Sequence, residues 1–223
     1  GFSFLMRQRL FVTSIGEAKR EYLLRSQIAP AHIVRKTMNK NHDFDKAFIP
    51  EVKFCVCISS DWRSYQQMSQ KMSNLALSTA LSKYYDLSEA ILQNVAPFGN
   101  FYSDWIADEL FVVMYQSEAD TPQSLVRAAI RFTDKLIRAK QDFYKEYGLP
   151  EAIDVGMSCG QSLIVMMVPK SFRKATALGV IPGRARRYQQ IGKLIRDLKY
   201  NSDRVIFDAK VKDYIQDDPY EVH

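Results

Sequence analysis

Two aspartates stand where carboxylates can do chemistry. Asp61 ends the run Val52-Lys-Phe-Cys-Val-Cys-Ile-Ser-Ser-Asp61, and Asp108 lies within Asp104-Trp-Ile-Ala-Asp-Glu-Leu-Phe-Val-Val-Met114. An acidic residue at the end of a buried strand, followed by a tight turn into a helix, can hold Mg²⁺ while backbone N–H groups at the helix start face phosphates. Plainer readings stand beside this one: Asp61 as a helix cap and Asp108 as an ordinary turn residue. Further along, Arg184, Arg186, Arg187, Lys193 and Arg196 form a basic run. It fits phosphate contact or a solvated face. Cys55 and Cys57 sit two apart in a strand pattern, so their side chains share one face. No second Cys pair accompanies them, and His32, His42 and His223 fall in unrelated contexts. Reduced cysteines are therefore expected, rather than a zinc site or a disulfide framework.

The elements that must position these residues read as follows. The 223 residues suffice for one α/β domain with a helical extension. A content of 47% hydrophobic and 25% charged residues is that of a soluble globular chain. No apolar run approaches the ~18–20 residues that span a bilayer. The net charge of +6 suits an anionic partner, without choosing among nucleic acid, lipid and nucleotide. Arg7 to Lys40 reads as helical, broken at Pro30, with a polar linker closing at Pro50. Val52, Phe54, Val56 and Ile58 alternate with Lys53, Cys55, Cys57 and Ser59, which predicts a strand ending at Asp61. A helix follows to about Tyr85. Phe101–Ser103 and Leu110–Tyr115 read as a hairpin with Asp108 near its turn. Thr121-Pro122 opens a long helix with a cap residue and Pro at the first helical position, and Gly148 and Pro150 end it. Ala152–Ser158 and Leu163–Val168 read as two strands. A basic helix runs from Gly183 to about Leu198, then a strand at Val205–Phe207 and a short helix over Asp208–Ile215.

With the motifs in order, a resemblance emerges. Ile58-Ser-Ser-Asp-Trp-Arg-Ser-Tyr-Gln-Gln-Met-Ser69 resembles the first metal motif of class III nucleotidyl cyclases, with Asp61, Trp62, Ser64, Tyr65, Met68 and Ser69 at the matching places. The second segment is similar to the family's hairpin, in which a Gly-Asp pair precedes an apolar strand. Here Ala107 replaces the Gly and Asp108 matches the second metal aspartate. Asp154-Val-Gly-Met-Ser-Cys-Gly-Gln-Ser162 resembles the family's strand-turn-strand with paired glycines, Gly156 and Gly160. The resemblance covers roughly Val52 to Ile215.

It implies a ferredoxin-like α/β (α+β) domain, with a mixed, mostly antiparallel sheet and flanking helices. An N-terminal helical arm and linker would take residues 1–49 and the catalytic domain 50–223. It implies two divalent metal ions, Mg²⁺ or Mn²⁺, on Asp61 and Asp108. It also implies conversion of a nucleoside triphosphate to a 3′,5′-cyclic nucleotide by a homodimer, with no nucleic-acid partner. Arg63 and Ser64, in the turn behind Asp61, and Arg184 are candidate substrate contacts.

The departures matter as well. The family shows an Asn and, four residues on, a transition-state Arg on a helix after a Gly. If Gly179 is that Gly, Gly183 replaces the Asn and Arg187 is the Arg; if Gly183 is, Arg187 takes the Asn position. Arg187 is the catalytic candidate either way. Where adenylate cyclases carry a base-reading Lys and guanylate cyclases a Glu, this chain has Asp104, with Thr176 as partner under the Gly179 register. Phe54, Trp62 and Tyr65 add aromatic bulk near the expected base pocket. This broken purine pair is similar to that of divergent bacterial cyclases making cyclic UMP or cyclic CMP in anti-phage signalling. An atypical adenylate cyclase, a regulatory domain of degenerate cyclase fold and a nucleic-acid-binding module on the Arg184–Lys199 helix remain open. The expected location is cytoplasmic. Membrane tethering is added if Gly1–Val12 is the stub of an anchor rather than the start of a surface helix.

Overall fold

The computed structural model describes residues 50–96, 100–167, 174–195 and 202–215. The helical arm expected before Pro50 lies outside them. Alternation along β1 (Glu51–Trp62) sets the architecture. Phe54, Val56, Ile58 and Trp62 point to one face of a sheet and join its main core. Cys55 and Cys57 point to the other. A strand buried on both faces must be central, and β1 is. It pairs antiparallel with β3 (Glu109–Tyr115) on one side and β4 (Ile153–Met167) on the other. The sheet runs β2-β3-β1-β4-β5, with β2 at Phe101–Ile106 and β5 at Lys174–Leu178. A short β6 (Arg204–Phe207) joins β4 in parallel. The expected mixed, mostly antiparallel sheet is what forms.

Two long helices cover the main-core face. After the single turn of α1 (Tyr65–Ser69), α2 spans Asn74–Val95 and α3 spans Pro122–Tyr147. The sequence pattern had this first helical stretch as one helix to about Tyr85. It is two helices and ends ten residues later, because Ser73 caps a fresh start by accepting the Ala76 N–H at 3.2 Å. The cap of α3 matches its sequence signal, since Thr121 and Ser124 bond reciprocally and Pro122 fills the first position. Ala80, Tyr84 and Leu92 of α2 interleave with Leu125, Ala129, Phe132 and Leu136 of α3 in the core. These elements are held by burial of apolar surface, which contributes about 25 cal/mol per Å².

The opposite face takes α4 (Val180–Leu194), and α5 (Ala209–Asp213) closes the chain's described part. Two corrections fall here. The segments Ala152–Ser158 and Leu163–Val168, expected as two strands around a turn, form the single 15-residue β4. Gly160, at φ 150°, lies within this strand without ending it. The basic helix begins at Val180, behind Gly179 at φ 134°, so Gly183 lies inside it rather than opening it. Glycines let α4 settle on β4: a Cβ on Gly156 would stand 2.0 Å from the Ala185 carbonyl oxygen. Buried charge stitches the far end. Lys140 of α3 meets Asp203 at 2.9 Å and the Glu151 carbonyl at 2.9 Å.

Candidate active site

Asp61 is the penultimate residue of β1 and lies on the face that α4 covers. Asp108 sits in the two-residue turn between β2 and β3. Its Oδ2 accepts the backbone N–H of Trp62 at 3.1 Å. That bond fastens the hairpin turn to the residue next to Asp61 and brings both carboxylates to one end of the sheet. Ala107, the other turn residue, holds φ 54°, and its carbonyl accepts the Tyr85 hydroxyl. A Gly takes such a left-handed turn without steric cost and Ala does not. Burial pushes the Asp108 carboxyl up to about 6, the neighbouring Glu109 adds to the rise, and N–H donors, Trp62's included, partly offset it.

Asp61 is already surrounded by donors. Lys193 of α4 forms an ion pair with its Oδ2, and Gln189 donates to the same oxygen at 3.2 Å. The site therefore draws a cation to Asp61 in the chain alone. No cluster of three or more His, Cys, Asp or Glu exists among the described residues. Two carboxylates with few other protein ligands is the set Mg²⁺ uses when substrate phosphates and water complete its shell. Asp61 and Asp108 thus fit the implied metals.

The remaining sequence candidates divide. Trp62 and Phe54 are core residues, 1% and 6% exposed, and so do not line a base pocket. Trp62 packs edge-on against Tyr84 with centroids 5.0 Å apart, and Phe54 against Tyr214 at 5.5 Å. The strand's own parity carried that signal: positions 54 and 62 are even and Asp61 is odd, so they face opposite ways. Arg63 is no exposed substrate contact either. It is buried, bonding Asp154 at 2.7 Å and the Ser202 carbonyl at 3.0 Å. Ser64 is exposed in the turn at φ 62°. Tyr65 stays half-buried, its ring 6.2 Å from Trp62, and the nearby Asp108 charge helps raise its hydroxyl's pKa, after burial.

Asp104 and Tyr102 share the α4-side face of β2, the face of their cross-strand partners Phe111 and Val113. The Tyr102 hydroxyl accepts the Ala177 N–H of β5 and hydrogen-bonds the Thr176 side chain. Tyr102, which sequence patterning did not single out, thus ties the β2 face that carries Asp104 to Thr176 of β5. Its signal was its place two residues before Asp104. On α4, Arg184 and Arg187 are exposed. Arg186 lies over the Phe111 ring at 4.6 Å and 3.6 Å from Glu109. Arg196 lies outside the described residues. The contacts of Gln189 and Lys193 with Asp61 were also missed. Nothing in the sequence sets which side of α4 faces β1.

No family model matches the chain. No curated protein matches it either. Solved structures do. The chain is similar to the adenylyl cyclase CyaB from P. aeruginosa, at 14% identity and TM-score 0.66, covering 76% of this chain and 84% of that one. It is similar to a bacterial light-regulated adenylyl cyclase at 16% identity and TM-score 0.67; that match covers 95% of this chain and 58% of the other. The guanylate cyclase domain of RhGC from Catenaria anguillulae, solved in complex with GTP, matches at 15% identity and TM-score 0.61 over 75% and 85% of the two chains. The fold is that of adenylyl and guanylyl cyclase catalytic domains.

Proposed function

We propose that this chain is a nucleotidyl cyclase catalytic domain converting a nucleoside triphosphate to a 3′,5′-cyclic nucleotide and pyrophosphate. The observation that carries the reading is the bond from the Trp62 N–H to Asp108, which sets the second carboxylate beside the strand end bearing Asp61 on a cyclase fold. When bound, two divalent ions on these carboxylates would activate the ribose 3′-hydroxyl and neutralise the leaving pyrophosphate. The 3′-oxygen forms a bond to the α-phosphorus, the bond from that phosphorus to the bridging oxygen of the β-phosphate breaks, and the hydroxyl proton leaves to solvent. Asp61 and Asp108 would hold and orient the ions. Arg187 is the residue for transition-state charge. The helix start supports the register that counts from Gly179, in which Arg187 takes the family's Arg position. Gly183 then stands where the family has Asn.

Such a site in the family is shared between protomers, and we extend that to a C₂ homodimer here. The exposed Leu178, Val180, Ile191 and Leu194 around α4 support an apolar partner surface.

For the base, an Asp carboxylate at position 104 accepts hydrogen bonds and cannot replace a Lys that donates to adenine N1. It can accept from the cytosine amine, the uracil N3–H or the guanine N1–H. Tyr102, tied to Thr176, takes up hydrogen-bonding capacity that a purine would use. We therefore favour a pyrimidine, uracil before cytosine, with a role in bacterial anti-phage signalling by analogy. With Phe54 and Trp62 in the core and Tyr65 packed against the same cluster, Tyr102 is the aromatic that shares the Asp104 face. The test is a competition with equal ATP, GTP, CTP and UTP and Mn²⁺, products read by mass. Cyclic UMP or cyclic CMP is expected. Dominant cyclic AMP or cyclic GMP overturns the base reading and leaves a purine cyclase.

A further inference from the structure

Asp61 and Asp154 are directly opposite one another on β1 and β4. Side chains so placed share a face, with Cβ atoms ~4.5–5.5 Å apart, and like charges there destabilise the pair. Each carboxylate has its own cation, and the two cations differ in kind. Arg63 on Asp154 is a fixed pair: the side chains are 9% and 0% exposed, and the guanidinium is also bonded to the Ser202 carbonyl. Lys193 on Asp61 is a removable one. It comes from the last turn of α4, and its side chain is 35% exposed against 14% for Asp61. Lys carries a compact ammonium on a flexible stem, unlike the planar fork of Arg.

Resting on the assignment of Asp61 as a metal ligand, we propose that Lys193 is a tethered counter-cation for Asp61. It neutralises the carboxylate beside Asp154 while no metal is bound and must leave before a divalent ion can coordinate it. Lys193 thereby sets the metal concentration at which the site fills. The physical reason is exclusion. An ammonium and a divalent ion held on one carboxylate repel each other, so the two cations compete for Asp61. Gln189, neutral and one turn earlier on α4, need not leave, since its amide can stay as a partner of Asp61. Apparent affinity falls by the fraction of molecules in which Asp61 is open, so a pair engaged nine-tenths of the time weakens binding ~tenfold.

The test is Mn²⁺ binding to the full chain without nucleotide, followed by the paramagnetic resonance signal of free Mn²⁺. Lys193→Met keeps the apolar stem and removes the charge, and Lys193→Gln is a second variant should the first fail to fold by circular dichroism. Both are expected to bind Mn²⁺ about tenfold more tightly than wild type, while Lys193→Arg retains weak binding. Asp61→Asn is expected to abolish the gain. Equal or weaker binding in Lys193→Met and Lys193→Gln, with binding still lost in Asp61→Asn, overturns the role of Lys193 and leaves Asp61 a metal ligand. Binding indifferent to Asp61→Asn overturns both.

Discussion

The two faces of β1 are built to opposite ends. On the α2–α3 face, Phe54, Val56, Ile58 and Trp62 pack into one large apolar cluster with aromatic edges from Tyr84 and Phe143. On the α4 face the same strand offers Cys55, Cys57, Ser59 and Asp61, and the second cluster there is small. The first face supplies stability, since burial of large apolar side chains is the dominant favourable contribution to folding. The second holds paired charges at one end, where burial raises the Asp108 pKa and cations crowd Asp61 and Asp154. A single strand thus separates rigidity from reactivity by a step of one residue.

If that division is right, the two faces respond differently to substitution. Asp61→Asn and Asp108→Asn should lower cyclisation by about three orders of magnitude or more, given that metal charge stabilisation supplies several kcal/mol. Both variants should stay folded. Near-wild-type turnover in either purified variant breaks the assignment of the charged end. On the other face, Trp62→Ala should cost about 3–5 kcal/mol of stability in denaturant unfolding, as large aromatic truncations in cores do. Arg187→Ala, on an exposed helix position, should leave stability within about 0.5 kcal/mol yet reduce turnover more than apparent affinity. A stable Trp62→Ala protein with altered base preference would return Trp62 to the pocket and dissolve the comparison.

The pH response sharpens it. Burial raises the folded pKa of Asp108 to about 6, above the ordinary carboxylate value of 3.8. The folded state therefore binds more protons between these values, and the metal-free chain loses stability from this group as pH rises through about 4 to 6. Asp108→Asn removes that dependence. The melting temperature of the variant minus that of wild type should grow from pH 4 to pH 7, less steeply than for a fully buried carboxylate, because part of Asp108 meets solvent. A difference that shrinks with pH would reverse the sign of the Asp108 environment. The smallest effect belongs to the turn itself: Ala107→Gly should raise stability by about 1 kcal/mol, relieving the left-handed φ of 54°. An unchanged or lower unfolding midpoint would mean that the turn carries no strain.

The sequence by itself determined the central strand, the cap and end of α3, and the hairpin bearing Asp108, because period-two alternation, Thr-Pro capping and Gly termination act over a few residues. It also carried the order of motifs that resembles a cyclase, and, in the parity of positions 54, 61 and 62, the fact that the aromatics turn away from Asp61. Only the tertiary structure decided the partners of the charges. Arg63 finds Asp154 ninety-one residues away, and Lys193 finds Asp61 across one hundred and thirty-two. The first pairing depends on the β1–β4 register and the second on how α4 seats on β4 over Gly156 and Gly160. Local periodicity says which face a residue takes; the packing of remote elements says what stands opposite it.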